Sequence, residues 1–394
     1  MKDKLFGIFL SIYLFWEPIV YCTLGARGGE LNGSIMRLSL VAIFSVSWFL
    51  YFCYKKTKAD KRMFGYLVLV GVLYLITGFF FDDKYGMSST YNGYFLRWGA
   101  DCISACVLGL LFTKVSDYKY MHFSLPIVTC ALTPLMLKEL IASQIFATAM
   151  ESDSGFNYQN IAYHFAVMYA ISAYYLFINQ NLRQSRFRLV LFAFLLVQGV
   201  SCAMSGGRGG FVLLFVYTLY ILYLMLKRGI ISKKRLLLIM SFGAVCFMFI
   251  ADKLGLFDSV GFSRAKELSL DEARQDLYKN TLSWILTNPI TGFGLGSVWF
   301  TTGFYNHNIF LDLLVETGLI GLIILIRVLR TTYNRILKLT RFNDAYYIIM
   351  FVFIYGCVMN LVTGYWIATY SHWMAFGCAI SFKLVTIKQQ KNRR

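Results

Sequence analysis

Charged residues are scarce in this sequence, and their scarcity excludes most soluble folds. Lys, Arg, Asp and Glu make up only 15% of the 394 residues, whereas hydrophobic residues make up 58%. A soluble domain could not bury that much apolar surface around one core. Water is therefore not the main solvent of the chain, and we expect an integral membrane protein.

Histidine is also rare, which argues against a metal centre. The four histidines show no regular spacing, and the sequence contains no Asp-x-Asp pair. The nine cysteines have neither the paired spacing of a zinc site nor the density of a disulfide scaffold. We interpret the cysteines as packing or lipid-facing residues, and we expect neither a metal nor another cofactor.

Long apolar runs separated by short polar breaks make up most of the chain. Runs of about 20 residues have the length that crosses about 30 Å of hydrocarbon as a helix. About twelve spans are predicted, and they lie near Leu5–Leu24, Ile35–Tyr54, Met63–Phe81, Tyr94–Thr113, His122–Leu137, Tyr158–Ile178, Leu189–Met204, Phe211–Leu226, Leu236–Ala251, Ile309–Ile326, Ala345–Val362 and Trp366–Phe382. We therefore predict an all-α integral membrane protein with one polytopic domain over residues 1–394.

The basic residues predict the orientation. Most of the 38 Lys and Arg fall between spans on one side, in runs such as Lys55–Arg62 and Lys227–Arg235. Because positively charged loops stay in the cytoplasm, this side and both termini are predicted to be cytoplasmic. The same placement explains the net charge of +18 without nucleic acid as a partner.

One large extracytoplasmic loop, residues 252–306, is predicted between the ninth and tenth spans. Ser269-Leu270-Asp271-Glu272 has the form of a capping box, which predicts a helix from about Leu270 to Leu286. Its apolar positions recur at helical spacing, so we expect it on the bilayer surface or over the helix bundle. Asn288-Pro289 ends this helix, and the glycines of 292–296 allow a tight turn or a close approach to a ligand.

Four residues on the outer side could carry chemistry. Arg208 stands between two glycine pairs at the ends of two spans, where a guanidinium needs an anionic partner. An ordinary loop arginine that reaches the headgroups is an equally good interpretation. Arg264 and Arg274 alone would be surface charges, but with Arg208 and His307 they suggest a clamp for a diphosphate. A neutral His307 imidazole could take a proton from a hydroxyl.

Two other groups of polar and aromatic residues have a structural interpretation first. Arg97 and Asp101 share one face of the fourth span, which favours an internal ion pair over a substrate contact. Aromatic residues near the last span favour an interfacial belt, although such rings also suit the faces of sugars. These are Tyr365, Trp366, Tyr370 and Trp373.

Two blocks of the sequence resemble the bacterial O-antigen polymerase (Wzy-type) and O-antigen ligase (WaaL-type) family. The turn 205–210 that leads into Phe211 is similar to the family's Ser-x-x-Arg-Gly turn. The second block runs from Arg274 through the Asn-Pro-Ile-Thr-Gly-Phe-Gly-Leu-Gly segment 288–296 to His307-Asn308 and Glu316-Thr317-Gly318. Order and spacing follow the family pattern, whereas the first six spans carry no motif of it.

The resemblance implies a metal-independent, inverting glycosyltransferase of the GT-C type in the bacterial inner membrane. Its donor would be an oligosaccharide on undecaprenyl diphosphate, and its active site would face the periplasm. Arg208 and Arg274 would bind the diphosphate, and His307 would activate the acceptor hydroxyl. Arg264 is the second choice for the loop arginine because Arg274 fits the pattern better. Further substrate contacts are expected from Asn308 and Gly294.

Three functions remain open. A polymerase joins repeat units and is favoured because nothing in the sequence points to recognition of a lipid A core. A ligase transfers the finished chain to that core. A lipid-linked oligosaccharide flippase would also suit a dozen helices, but no internal repeat is evident. Expected partners are the lipid-linked donor, a glycan acceptor, the bilayer and, for a polymerase, a co-polymerase that regulates chain length.

Overall fold

The computed structural model describes residues 1–24, 30–54, 61–81, 93, 95–145, 158–179, 187–205, 207–235, 272–367 and 369–381. Within these ranges the regular structure is helical, without a strand. The main α-helices are α1 (Lys2–Tyr13), α2 (Trp16–Leu24), α3 (Glu30–Cys53), α4 (Lys61–Phe81), α5 (Ile103–Phe112), α6 (Lys119–Ile145), α7 (Tyr158–Ala173), α8 (Phe187–Met204), α9 (Arg208–Lys227), α10 (Glu272–Thr287), α11 (Val298–Thr301), α12 (Ile309–Leu339), α13 (Tyr346–Val362) and α14 (Tyr370–Ile380). Two π-helical turns, Trp98–Cys102 and Tyr174–Ile178, adjoin α5 and α7.

Six helical segments of the described chain are long and apolar enough to cross a membrane. They are Phe95–Phe112, Lys119–Ile141, Gln159–Ile178, Phe187–Met204, Arg208–Lys227 and Ile309–Leu339. The bent pair α1 and α2 would make a seventh, and α13 is a shorter apolar helix. A multi-pass, all-helical membrane protein is thereby supported, whereas the number of twelve spans stays a prediction. The ninth predicted span, Leu236–Ala251, lies outside the described residues.

Several helices differ from the straight spans predicted from hydrophobicity. The first predicted span is two helices that meet at 65°. The tenth span was expected to end near Ile326, but α12 continues to Leu339 and is broken by non-helical backbone at Gly318. The fourth contains a π-helical turn in which Asp101 is completely buried. Apolar periodicity predicts burial of a face, but it does not predict where the helix axis changes direction.

The chain divides into two compact units. One comprises Met1–Phe6, Arg37–Tyr118 and Leu270–Arg394, and the other comprises Gly7–Met36 and Lys119–Ser269. In the first unit α5 and α14 pack closely at glycines, because a Cβ at Gly109 would lie 2.0 Å from the Met374 carbonyl oxygen. Small residues allow such close helix contacts in membranes. The prediction of one polytopic domain is not tested by this division.

In the second unit α9 packs closely against α7. A Cβ at Gly210 would lie 2.3 Å from the Ala162 Cβ, and one at Gly209 would lie 1.8 Å from the Tyr163 hydroxyl. The Cys202 thiol of α8 lies between these helices and donates to Ala162 O at 3.3 Å. The glycine pair that follows Arg208 therefore has a packing function.

Candidate functional site

The centre of the candidate site is a break in α12, where a loop packs against the helix backbone. Gly318 has φ 59° and ψ −161°, which interrupts the helical hydrogen bonding. The loop 289–294 supplies the missing partners on both sides of the break. Leu319 N donates to Pro289 O at 2.9 Å, and Phe293 N donates to Val315 O at 2.9 Å. The broken helix thus keeps its buried backbone groups bonded, as a low-polarity environment requires.

Glycine at two positions is required by this arrangement. Gly292 has φ 66°, and a Cβ there would lie 2.5 Å from the backbone of Glu316 and Thr317. A Cβ at Gly318 would lie 2.3 Å from the Ile290 carbonyl group. The glycine loop and the Glu-Thr-Gly segment, which belong to the block that resembles the family, therefore pack directly against each other.

Gly294 has contacts of the same kind. Its φ is 107°, its amide donates to Glu316 O at 2.7 Å, and an added Cβ would lie 2.6 Å from the Thr77 hydroxyl of α4. These contacts give a packing reason for glycine. A role of Gly294 in substrate binding stays a prediction.

The Glu316 carboxylate is completely buried and accepts hydrogen bonds from three donors. Gly296 N donates to Oε1 at 2.9 Å, the Tyr365 hydroxyl donates to Oε1 at 2.5 Å, and Trp366 Nε1 donates to Oε2 at 3.0 Å. A buried charge is tolerated only with such partners. Glu316 therefore joins the glycine loop, α12 and the segment after α13.

The four aromatic residues near the last span do not form an exposed belt. The exposed fractions of Tyr365, Trp366, Tyr370 and Trp373 are 2%, 7%, 8% and 4%. Trp373 Nε1 donates to Ile367 O at 3.0 Å, so this indole is also bonded internally. Both sequence interpretations, an interfacial belt and a surface for sugars, need exposed rings and are wrong here. The signal was ambiguous because aromatic side chains with one polar atom suit both interfaces and polar cores.

His307 lies immediately before α12 in a strained backbone conformation. It is the one non-glycine residue with positive φ, 54°, among the described residues. Its Nδ1 lies 3.0 Å from Thr363 O. Because a carbonyl oxygen only accepts, Nδ1 carries the proton in this bond, and the lone pair of the neutral ring is then on Nε2. The ring of His307 lies 4.6 Å from that of Tyr305 and 5.3 Å from that of Phe304.

A chain of buried polar residues adjoins His307. Asn306 N and Nδ2 donate to Asp312 Oδ1 at 2.7 and 3.0 Å, and the Thr281 hydroxyl contacts Asn306 Oδ1. Sequence reasoning assigned no role to Asp312 or Glu316. Two carboxylates four residues apart within an apolar span were the available signal, because intramembrane charges are costly and are usually functional.

Asn308 caps α12. Its Oδ1 accepts from Phe310 N at 3.0 Å, and its extended backbone, with φ −149° and ψ 107°, is typical of an N-cap. The structure thus gives this residue a local function that the sequence analysis did not assign. A contact with substrate stays a prediction.

Of the three predicted arginines, the structure describes Arg208 and the helix position of Arg274. Arg208 begins α9 in the second unit, and its side chain is exposed. Arg274 is the third residue of α10, whose observed course Glu272–Thr287 agrees with the predicted helix 270–286. Arg264 and Ser269 lie outside the described residues. The proposed joining of these arginines with His307 into one clamp is therefore untested.

The buried side of α10 combines one polar residue with one of its apolar positions. Thr281 and Ile285, one turn apart, have exposed fractions of 0% and 9%, and Trp284 packs edge-on against Phe293 with ring centroids 5.3 Å apart. Leu282 and Leu286, two other apolar positions of this helix, are 51% and 78% exposed. Among the described residues, no group of three His, Cys, Asp or Glu side chains could hold a metal ion.

These observations describe a multi-pass helical membrane protein with a polar centre built on a broken helix. Residues 189–326 match the model of a protein family described as O-antigen ligase. The match covers about a third of the chain and includes Arg208, Arg274, His307 and the broken segment of α12. This match supports the resemblance to the O-antigen ligase and polymerase family that was found in the sequence. No curated protein matches the chain.

Proposed function

We propose that this chain is a membrane glycosyltransferase that polymerises oligosaccharide repeat units carried on undecaprenyl diphosphate. The enzyme would face the periplasm of a bacterial inner membrane, with both termini in the cytoplasm. The family match supports an enzyme of the ligase and polymerase type. The observation that carries the mechanism is the 3.0 Å contact between His307 Nδ1 and Thr363 O.

His307 is the proposed general base. Since Nδ1–H donates to Thr363 O, the Nε2 lone pair of the neutral ring accepts the proton of the acceptor hydroxyl. The hydroxyl oxygen forms a bond to the anomeric carbon of the donor sugar. The bond between that carbon and the diphosphate oxygen breaks, and its electron pair leaves with the diphosphate. One such displacement inverts the anomeric configuration.

Arg208 and Arg274 are the proposed partners of the leaving diphosphate. Two guanidinium groups would offset the charge that develops on its oxygens, as a divalent metal does in other transferases. Arg264, Asn308 and Gly294 remain candidates for further substrate contacts. A co-polymerase that sets chain length is the expected protein partner.

Transfer of a finished chain to a lipid A core is the second candidate function. It is favoured by the family description, O-antigen ligase. The same chemistry serves both functions because only the acceptor differs. We favour polymerisation because no sequence feature indicates recognition of a lipid A core. Flipping of the lipid-linked oligosaccharide is a third function, and it would not need a base at His307.

His307→Asn tests the proposed base. The Asn side-chain nitrogen lies near the position of Nδ1 and can still donate to Thr363 O, and Asn tolerates positive φ, but it has no basic nitrogen. Cells that produce His307→Asn at wild-type membrane levels are compared with wild-type cells for surface polysaccharide and for the undecaprenyl-linked pool. Thr331→Val is the control, because the Thr331 hydroxyl is exposed and bonds within its own helix, to Arg327 O at 2.7 Å.

The products separate the three functions. Single repeats without polymer indicate a polymerase, and long chains on undecaprenyl diphosphate indicate a ligase. Repeat units that accumulate on the cytoplasmic side indicate a flippase. Wild-type polymer in the His307→Asn cells would exclude His307 as the base.

A further inference from the structure

Three buried polar residues, one of them directly before His307, connect α10 to the start of α12. The Thr281 hydroxyl in α10 lies 2.7 Å from Leu277 O of its own helix and also contacts Asn306 Oδ1. Both nitrogens of Asn306 donate to Asp312 Oδ1 in the first turn of α12. Their exposed fractions are 0%, 1% and 0%. The three residues thus form a continuous chain, the Thr281–Asn306–Asp312 chain, across three separate segments.

We propose that the Thr281–Asn306–Asp312 chain sets the position of His307 relative to α10, the helix that begins near Arg274. The inference rests on the proposed function, since it concerns the distance between the base and the group that binds the diphosphate. Arg274 and Thr281 are seven residues apart on one helix, which is about 10 Å at the rise of an α-helix. A helix is stiff over that length, so a bond at Thr281 constrains the backbone of Arg274.

The backbone of His307 shows why such a constraint is needed. Its positive φ costs free energy and persists only if the neighbouring groups hold it. Asn306 N, bound to Asp312 at 2.7 Å, fixes the residue on the N-terminal side. The contact of His307 Nδ1 with Thr363 O fixes the ring. Without the first contact, the ring could keep its bond to Thr363 while its distance from α10 changed.

A purely structural role would not require these residue types. Burying a hydroxyl, an amide and a carboxylate costs more desolvation than burying apolar side chains of the same volume. Their bonds are directional and fix distances, which apolar packing does not do to the same precision. Asp312 also lies in the first turn of α12, where the helix dipole favours a carboxylate.

The Thr281 hydroxyl can be removed with little change in volume. Thr281→Val keeps the shape of the side chain, whereas Thr281→Ala avoids contact between a new methyl group and Asn306 Oδ1. Thr281→Ser restores the hydroxyl. Thr331→Val is the matched control, because Thr331 is not part of the Thr281–Asn306–Asp312 chain. Each full-length variant is purified in detergent and assayed with the undecaprenyl-linked glycan that accumulates in cells carrying His307→Asn.

We expect Thr281→Val and Thr281→Ala to lower kcat about tenfold, the effect of one mispositioned hydrogen bond on a barrier, with KM for the lipid-linked glycan changed less than about twofold. Thr281→Ser should return kcat to near the wild-type value, and Thr331→Val should not change it. The melting temperature of each variant is measured in parallel, so that kcat is expressed per folded molecule.

Two results would overturn the inference. A wild-type kcat in both Thr281→Val and Thr281→Ala would show that the Thr281–Asn306–Asp312 chain does not position the base. A lower melting temperature with unchanged kcat per folded molecule would show that the Thr281–Asn306–Asp312 chain has a purely structural role. If His307→Asn is inactive while the Thr281 variants are fully active, only the inference fails; if His307→Asn is active, the proposed function itself fails.

Discussion

Gly292 and Gly318 each have a positive φ, and each lies in close contact with the backbone beside the other glycine. A Cβ at Gly292 would lie 2.5 Å from the Glu316 carbonyl carbon, and a Cβ at Gly318 would lie 2.3 Å from the Ile290 carbonyl carbon. The loop and the broken helix are therefore complementary, because each lacks a side chain where the other needs room.

Gly318→Ala and Gly292→Ala should each destabilise the protein strongly. Positive φ alone costs an alanine about 1 to 2 kcal/mol, and the clash with backbone adds to it. Gly229→Ala is the control, since Gly229 has φ 67° but, its chain neighbours aside, no atom of the described residues lies within 4 Å of its Cβ position. Thermal unfolding in detergent should rank Gly229→Ala well above the other two in stability. Equal melting temperatures for Gly229→Ala and Gly318→Ala would mean that the close approach in α12 is absent.

Gly210→Ala should force α9 away from α7. Its Cβ would lie 2.3 Å from the Ala162 Cβ and 2.7 Å from the Ala162 carbonyl carbon, and this backbone cannot move aside as a flexible side chain can. The control is Gly199→Ala in α8, where the Cβ would meet only the Tyr169 ring at an ordinary 3.6 Å. Alanine there should be neutral or stabilising by up to about 1 kcal/mol through helix propensity. The comparison is made by melting temperature and by the yield of folded protein, and the prediction fails if Gly210→Ala is as stable as Gly199→Ala.

Glu316→Gln should lose about 1 to 3 kcal/mol, although the change is nearly isosteric. The carboxylate accepts from Gly296 N, the Tyr365 hydroxyl and Trp366 Nε1, whereas an amide would turn an NH₂ group toward one of these donors. Asp276→Asn is the control, because its pair with Lys279 is exposed and should contribute little. Thermal unfolding measures both effects.

A second variant tests the assigned partner of Glu316. Tyr365→Phe removes one donor, so it should cost less than Glu316→Gln, and the two costs should not add in the double variant. Strict additivity would show that the bond between Glu316 and Tyr365 contributes nothing to stability.

Asn308→Ala should cost about 1 kcal/mol through loss of the helix cap, whereas Asn308→Asp should keep the cap. The two variants separate the cap from a substrate contact. If Asn308 only caps α12, Asn308→Asp retains both its melting temperature and its polymer. Loss of polymer in a stable Asn308→Asp would instead support the predicted contact with substrate.

The class of the protein follows from the amino-acid sequence alone. Apolar run lengths predict membrane helices because the thickness of a bilayer fixes the length of a span, whatever packs beside it. The spacing of the glycines, His307-Asn308 and the Glu-Thr-Gly segment indicated a resemblance to the family, and the match over residues 189–326 supports it. The capping box and Asn288-Pro289 predicted α10 to within two residues of its described ends, because local hydrogen bonding sets helix ends.

How these segments meet depends on long-range contacts that the sequence does not predict. Glu316 and Tyr365 are 49 residues apart, and no periodicity predicts that one accepts a hydrogen bond from the other. The same holds for His307 and Thr363, which are 56 residues apart. Tyr365 and Trp366 were misinterpreted because hydrophobicity does not distinguish a buried, hydrogen-bonded ring from one at the membrane interface. The break at Gly318 was not predictable from the sequence either, because the hydrogen-bond partners that replace the helical ones come from the loop that starts at Pro289.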